Sequence, residues 1–88
     1  MPDLSEVSDT LGWIYLKKNL SDDAAKIFQE LVSSHPNQST YRYHLAMALR
    51  QKGDKPRAIK ECQDALKNNP SKEEREKIQD LLTRLNGA

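Results

Sequence analysis

Two stretches of this 88-residue chain superimpose at an offset of 34 residues. The shift places Ser5 on Ser39, Leu11 on Leu45, Lys18 on Lys52, Ala24 on Ala58, Lys26 on Lys60 and Pro36 on Pro70. Gly12 then falls on Ala46, Tyr15 on Leu49, Asn19 on Gly53 and Val32 on Leu66. A repeat of this length is one supersecondary unit, which buries its apolar face only by stacking on neighbours. Such a chain offers a surface for binding and little material for a closed catalytic pocket.

Composition agrees. Apolar residues make up 36% and charged residues 31%, with 14 basic against 13 acidic side chains and the signs interspersed. No basic stripe marks a nucleic-acid partner, and there is no acidic tail or polybasic run. No apolar stretch approaches the roughly 20 residues of a membrane span. Met1-Pro2-Asp3-Leu4 has neither the basic leader nor the apolar core of a signal peptide. The expectation is a soluble chain, with its compartment left open between cytoplasm and, for an exported parent protein, periplasm. Cys62, the single cysteine, forms no internal disulfide and reads as a small buried hydrophobe.

Cap and turn signals divide the chain into five helices. The first runs from about Ser5 to Lys18 and stops at Asn19, which tolerates the left-handed conformation. The second opens at Ser21 as N-cap, ahead of Asp22 and Asp23, and stops before His35-Pro36. The third spans Ser39 to Gly53. The fourth follows Asp54, with Pro56 in its first turn, and ends before Asn69-Pro70. The fifth opens with Ser71-Lys72-Glu73-Glu74, a capping box in which Ser71 and Glu74 satisfy each other's free N–H groups, and ends near Leu85. Small residues stand where paired helices must cross closely: Gly12 with Ala24, and Ala46 with Ala58.

Leu11-Gly12, Tyr15, Asn19, Ala24, Phe28, Leu31 and Pro36, repeated as Leu45-Ala46, Leu49, Gly53, Ala58, Cys62, Ala65 and Pro70, resemble the tetratricopeptide repeat. The departures are Ser8 and Arg42 at the family's early Trp, and Cys62 at its second-helix aromatic. The resemblance implies an all-α solenoid of antiparallel helix pairs, with repeats at residues 5–36 and 39–70 and a capping helix at 71–86. Leu11-Gly12-Trp13-Ile14-Tyr15 and Tyr43-His44-Leu45-Ala46 are also similar to the C-terminal end of longer bacterial proteins of this type, some of which accompany exosortase (PEP-CTERM) sorting systems. The fifth helix breaks the repeat. Its apolar Ile78, Leu81, Leu82 and Leu85 form one stripe, opposite the charged Glu73, Glu76, Lys77, Asp80 and Arg84, as a terminal cap requires.

At about 100° per residue, Val7, Leu11, Ile14 and Tyr15 share one core-facing arc, and Asp9, Trp13 and Leu16 lie opposite. In the third helix Tyr41, Leu45, Ala48 and Leu49 face the core, and Tyr43, Met47 and Arg50 lie opposite. Val7 and Ile14 point to where a preceding repeat would pack, so they are the expected self-association edge. In the tetratricopeptide family the opposite face of each first helix lines a concave groove. The resemblance therefore makes Asp9, Trp13, Leu16, Lys17, Tyr43, Met47, Arg50 and Gln51 the candidate groove, extended by Lys77, Leu81 and Arg84. Trp13, Tyr43 and Met47 would anchor an apolar peptide, with Arg50 and Lys17 at the rim; the competing reading has them pack on one another or on a neighbouring repeat. The repeats that grip acidic chaperone tails carry Lys and Asn where this chain has Asp9 and Trp13, so that specificity is not expected.

His35 and His44 have no Cys, Asp or Glu at ligand spacing, and no phosphate loop or nucleophile elbow is present, so no metal, cofactor or catalytic site is expected. The leading expectation is a non-catalytic protein-interaction module that binds a peptide or helix in its groove. The alternative is a structural segment that oligomerises, or stacks on further repeats, through its first helix.

Overall fold

The computed structural model describes residues 4–87. The chain is all-α: α1 (Leu4–Lys17), α2 (Ser21–Ser34), α3 (Ser39–Lys52), α4 (Lys55–Leu66) and α5 (Lys72–Gly87). Each helix packs antiparallel on the next, and α3 also touches α1 and α5. The array is a slab of 41 × 28 × 19 Å.

The two turns inside the repeats are built alike. Asn19 (φ 61°) and Gly53 (φ 95°) adopt the left-handed conformation just past α1 and α3. The Leu20 N–H then reaches Tyr15 O at 2.9 Å and the Asn19 N–H reaches Leu16 O at 3.1 Å. One repeat later Asp54 donates to Leu49 O at 2.8 Å and Gly53 to Arg50 O at 3.0 Å. This is the Schellman closure, which satisfies the last carbonyls of a helix and reverses the chain in two residues.

Two expected caps are corrected. Ser21 does not cap α2, because Leu20 holds the cap position and its carbonyl already accepts from the Ala24 N–H. Ser21 is the first helical residue, and its hydroxyl donates to Gln51 Oε1 at 2.8 Å. At α5 only half of the capping box forms. Ser71 Oγ accepts from the Glu74 N–H at 3.1 Å. The Glu74 carboxylate instead accepts from Ser39 Oγ and Thr40 Oγ1. Since α3 has no side-chain cap of its own, Glu74 brings negative charge to a helix N-terminus that favours it. Asp54 caps α4, accepting from the Arg57 N–H.

The core runs through every layer: Phe28, Leu45, Leu49, Cys62 and Ile78 are its largest fully buried side chains. On α1, however, the buried residues are Gly12 and Leu16. Leu11, expected in the core with Val7 and Ile14, is 41% exposed. The reason lies in the layering. The equivalent Leu45 and Ala48 of α3, a helix packed between α2 and α4, are fully buried, whereas among the described residues α1 packs mainly on α2 and leaves this face open. Arg42, at the position of the family's early Trp, ties three elements together: it donates to Pro36 O and Glu61, both at 3.1 Å, beside Asp64.

The α1–α2 crossing depends on the bare Cα of Gly12. A Cβ there would lie 2.5 Å from Phe28 Cε1, inside contact distance. Gly12→Ala is expected to destabilise the fold by about 1–3 kcal/mol in urea titration, since the wholly buried ring has nowhere to retreat. An unchanged midpoint would contradict this crossing.

Candidate functional site

A concave groove of about 480 Å³ opens between α3 and α5, closed at one end by Leu16 of α1. Tyr43, Met47, Arg50 and Gln51 reach it from α3, and Lys77, Asp80, Leu81 and Arg84 from α5. Both sets follow helical spacing, so each helix presents one continuous face. Leu16 and Leu81 are buried, Leu16 at the end of the groove and Leu81 along it, while Tyr43 and Met47 are half-buried. Burial, with the charges of Asp80 and Glu74 and with Cys62, pushes the Tyr43 phenol above its ordinary value, and Arg84 opposes this. Its hydroxyl is therefore a neutral donor at physiological pH.

The groove is cationic. Arg84 Nε is 3.1 Å from Asp80 Oδ2, and Lys77 lies 3.6 Å from the exposed Glu73. Arg50 forms no ion pair among the described residues, which leaves its guanidinium available at the rim. Gln51 is committed to the fold: its Nε2 donates to Leu16 O at 2.9 Å while its Oε1 accepts from Ser21. It fixes the end of α1 and the start of α2 against α3, and with them the groove wall.

Eight of the eleven expected groove residues converge here; Asp9, Trp13 and Lys17 do not. Asp9 and Trp13 are engaged by His44, which is 8% exposed. His44 Nδ1 lies 2.7 Å from Asp9 Oδ1, and the Trp13 ring meets the imidazole edge-on with centroids 5.0 Å apart. Phe28 and Tyr43 flank the same imidazole at 5.4 and 6.0 Å. Trp13 thus packs, partly buried, against α3 and lies outside the groove lining. Lys17 is exposed at the end of α1. Asp80, whose charge alone suits the solvated face of α5, also lines the groove; its place three residues after Lys77 and four before Arg84 puts it on their face.

Cys62 is fully buried, and desolvation first, then Glu61, push its pKa up to about 11. The thiol stays protonated and unreactive at neutral pH. Among the described residues no group of three His, Cys, Asp or Glu side chains is placed to hold a metal, and no helix is long and apolar enough to cross a membrane.

The tetratricopeptide repeat family model matches residues 10–73. The chain belongs to that family, whose members are generally protein–protein interaction modules and typically non-catalytic. No curated protein matches the chain.

His44 offers a direct test of this arrangement. His44→Phe keeps a ring against Trp13 and Phe28 but strips Asp9 of its donor, and is expected to cost about 1–2 kcal/mol. His44→Ala also opens a cavity and is expected to cost about 2–4 kcal/mol. Equal urea midpoints for wild type and both variants would contradict the packed dyad.

Proposed function

We propose that this chain is a protein-interaction module whose α3–α5 groove holds a short peptide segment with an apolar side chain beside acidic ones. Residues 5–36 and 39–70 act as its two repeats and residues 71–86 as the helix that completes the groove. The single observation behind this reading is the pairing of an apolar strip with unequal charge. Tyr43, Met47 and Leu81 supply contact area, and Arg50, Lys77 and Arg84 outnumber Asp80. An apolar ligand side chain settles on the Tyr43–Met47 strip over Leu81 and displaces water from it. A neighbouring carboxylate meets Arg50, whose planar guanidinium holds it in two parallel hydrogen bonds. Arg84 stands at the same end of the groove as Arg50 and is partly offset by Asp80, so Arg50 is the cation that meets the ligand's acid there. The finer likeness to longer bacterial chains, carried by Leu11–Tyr15 and Tyr43–Ala46, belongs to the same proposal.

Peptide display against the whole chain tests it. Enriched sequences are expected to join an aromatic or branched apolar residue to Asp or Glu, with affinity falling as salt rises. Tyr43→Ala and Arg50→Glu are each expected to weaken binding at least about tenfold, near 1.4 kcal/mol, with unchanged helicity. Binding that survives both substitutions would place the site elsewhere.

A further inference from the structure

A second surface lies on α1, away from the groove. Leu4, Val7, Leu11 and Ile14 are 77%, 56%, 41% and 45% exposed. Their spacing of three, four and three residues is the a/d pattern of a helix-pairing seam. It is a row of four large apolar side chains along a single helix, and water covers it only at a cost in free energy.

We propose that this face pairs with the same face of a second copy of the chain, antiparallel about a twofold axis through Leu11. Three features favour a second copy as the occupant. First, counting the alkyl stem of Lys18, one further step of the same pattern, the stripe runs from residue 4 to residue 18 and is centred on Leu11. Antiparallel pairing places Leu11 on its own symmetry mate, Val7 against Ile14 of the other copy, and Leu4 against the alkyl stem of Lys18, which continues the stripe just past the helix. Every position then has an apolar neighbour. Second, charge is polar along α1. Glu6 lies in the first turn, Lys17 in the last turn and Lys18 just beyond it. Glu6 and Lys17 share one flank of the stripe, so antiparallel copies bring acid to base at both ends. Parallel copies would set Lys18 against Lys18 and oppose the two helix dipoles. Third, the seam differs from the one that closes the repeats. On α3, packed between α2 and α4, the position equivalent to Ile14 is Ala48, fully buried. A bulky β-branched residue at that site suits interlocking side chains between paired helices better than the close approach that a methyl group permits.

Light scattering on the whole chain, from low micromolar to submillimolar concentration, tests the pairing. The expected result is a dimer fraction that rises with concentration. Val7→Glu is expected to weaken dimerisation at least tenfold while helicity stays the same, because Val7 is more than half exposed in the single chain. Tyr43→Ala, in the groove, is expected to leave the mass unchanged. Single cysteines then report the geometry. Leu11→Cys at the axis is expected to cross-link to its mate under mild oxidation at least tenfold faster than Val7→Cys, whose symmetry mate lies too far along the antiparallel helix. Cys62 is buried and does not compete. A monomer at every concentration would overturn the proposal and assign the face to another helix, such as that of a preceding repeat. A dimer insensitive to Val7→Glu would overturn it as well. Equal cross-linking by Leu11→Cys and Val7→Cys would also contradict it, by showing parallel pairing.

Discussion

Everything in the first repeat is arranged around Phe28. The ring is wholly buried, lies on the bare Cα of Gly12 and stands beside His44, so one side chain sets the spacing of α1, α2 and α3. With α1 drawn this close, Trp13 and Asp9 reach His44, and Leu16 comes down to form the end of the groove. The second repeat meets the same demand with different residues. Ala46 and Cys62, equivalent to Gly12 and Phe28, are both fully buried. There the smaller thiol leaves room for a methyl group. Close packing makes the two positions depend on each other, since an interior at crystal density has no spare volume to lend either one.

Polar side chains do a second job in this fold, which is to bind helices to one another and only sometimes to cap their own. Ser21 and Gln51 join α2 to α3, Glu74 joins α5 to the start of α3, and Arg42 holds the Pro36 turn and α4. Among the described residues no buried side-chain nitrogen or oxygen lacks a hydrogen-bond partner. With a five-helix core of limited size, these interhelical bonds matter in proportion, because an unpaired buried polar group costs about 1–3 kcal/mol. The groove inherits its rigidity from them: Gln51 and Glu74 act on the two helices that form its walls.

The helices and their pairing were legible in the chain because the signals are local or repeat at a constant offset. Asn19 and Gly53 mark equivalent turns, and Tyr43, Met47, Arg50 and Gln51 share a face that helical spacing alone defines. What could not be read was the choice among competing partners for one polar group. Glu74 is suited to the cap of its own helix and to the hydroxyls of Ser39 and Thr40, and only the packing of α5 on α3 decides between them. Asp9 and Trp13 look like groove residues on a helical wheel, which shows one helix at a time. Their partner His44 lies on another helix, and a wheel carries no information about that distance. Leu11 was placed in the core by its apolar character, whereas burial depends on a covering helix as well.

The measurement that bears most directly on the central constraint is a double-mutant cycle at the Gly12–Phe28 crossing, read by urea denaturation. If the ring alone excludes a Cβ at position 12, Gly12→Ala destabilises the wild type but stabilises the Phe28→Cys background. In that background the methyl group occupies freed space, and Ala is the better helix former by about 1 kcal/mol. A change of sign between the two backgrounds is therefore the predicted result. The same loss of stability in both would show that the helix spacing is set by something other than this contact, and the account built on it would fail.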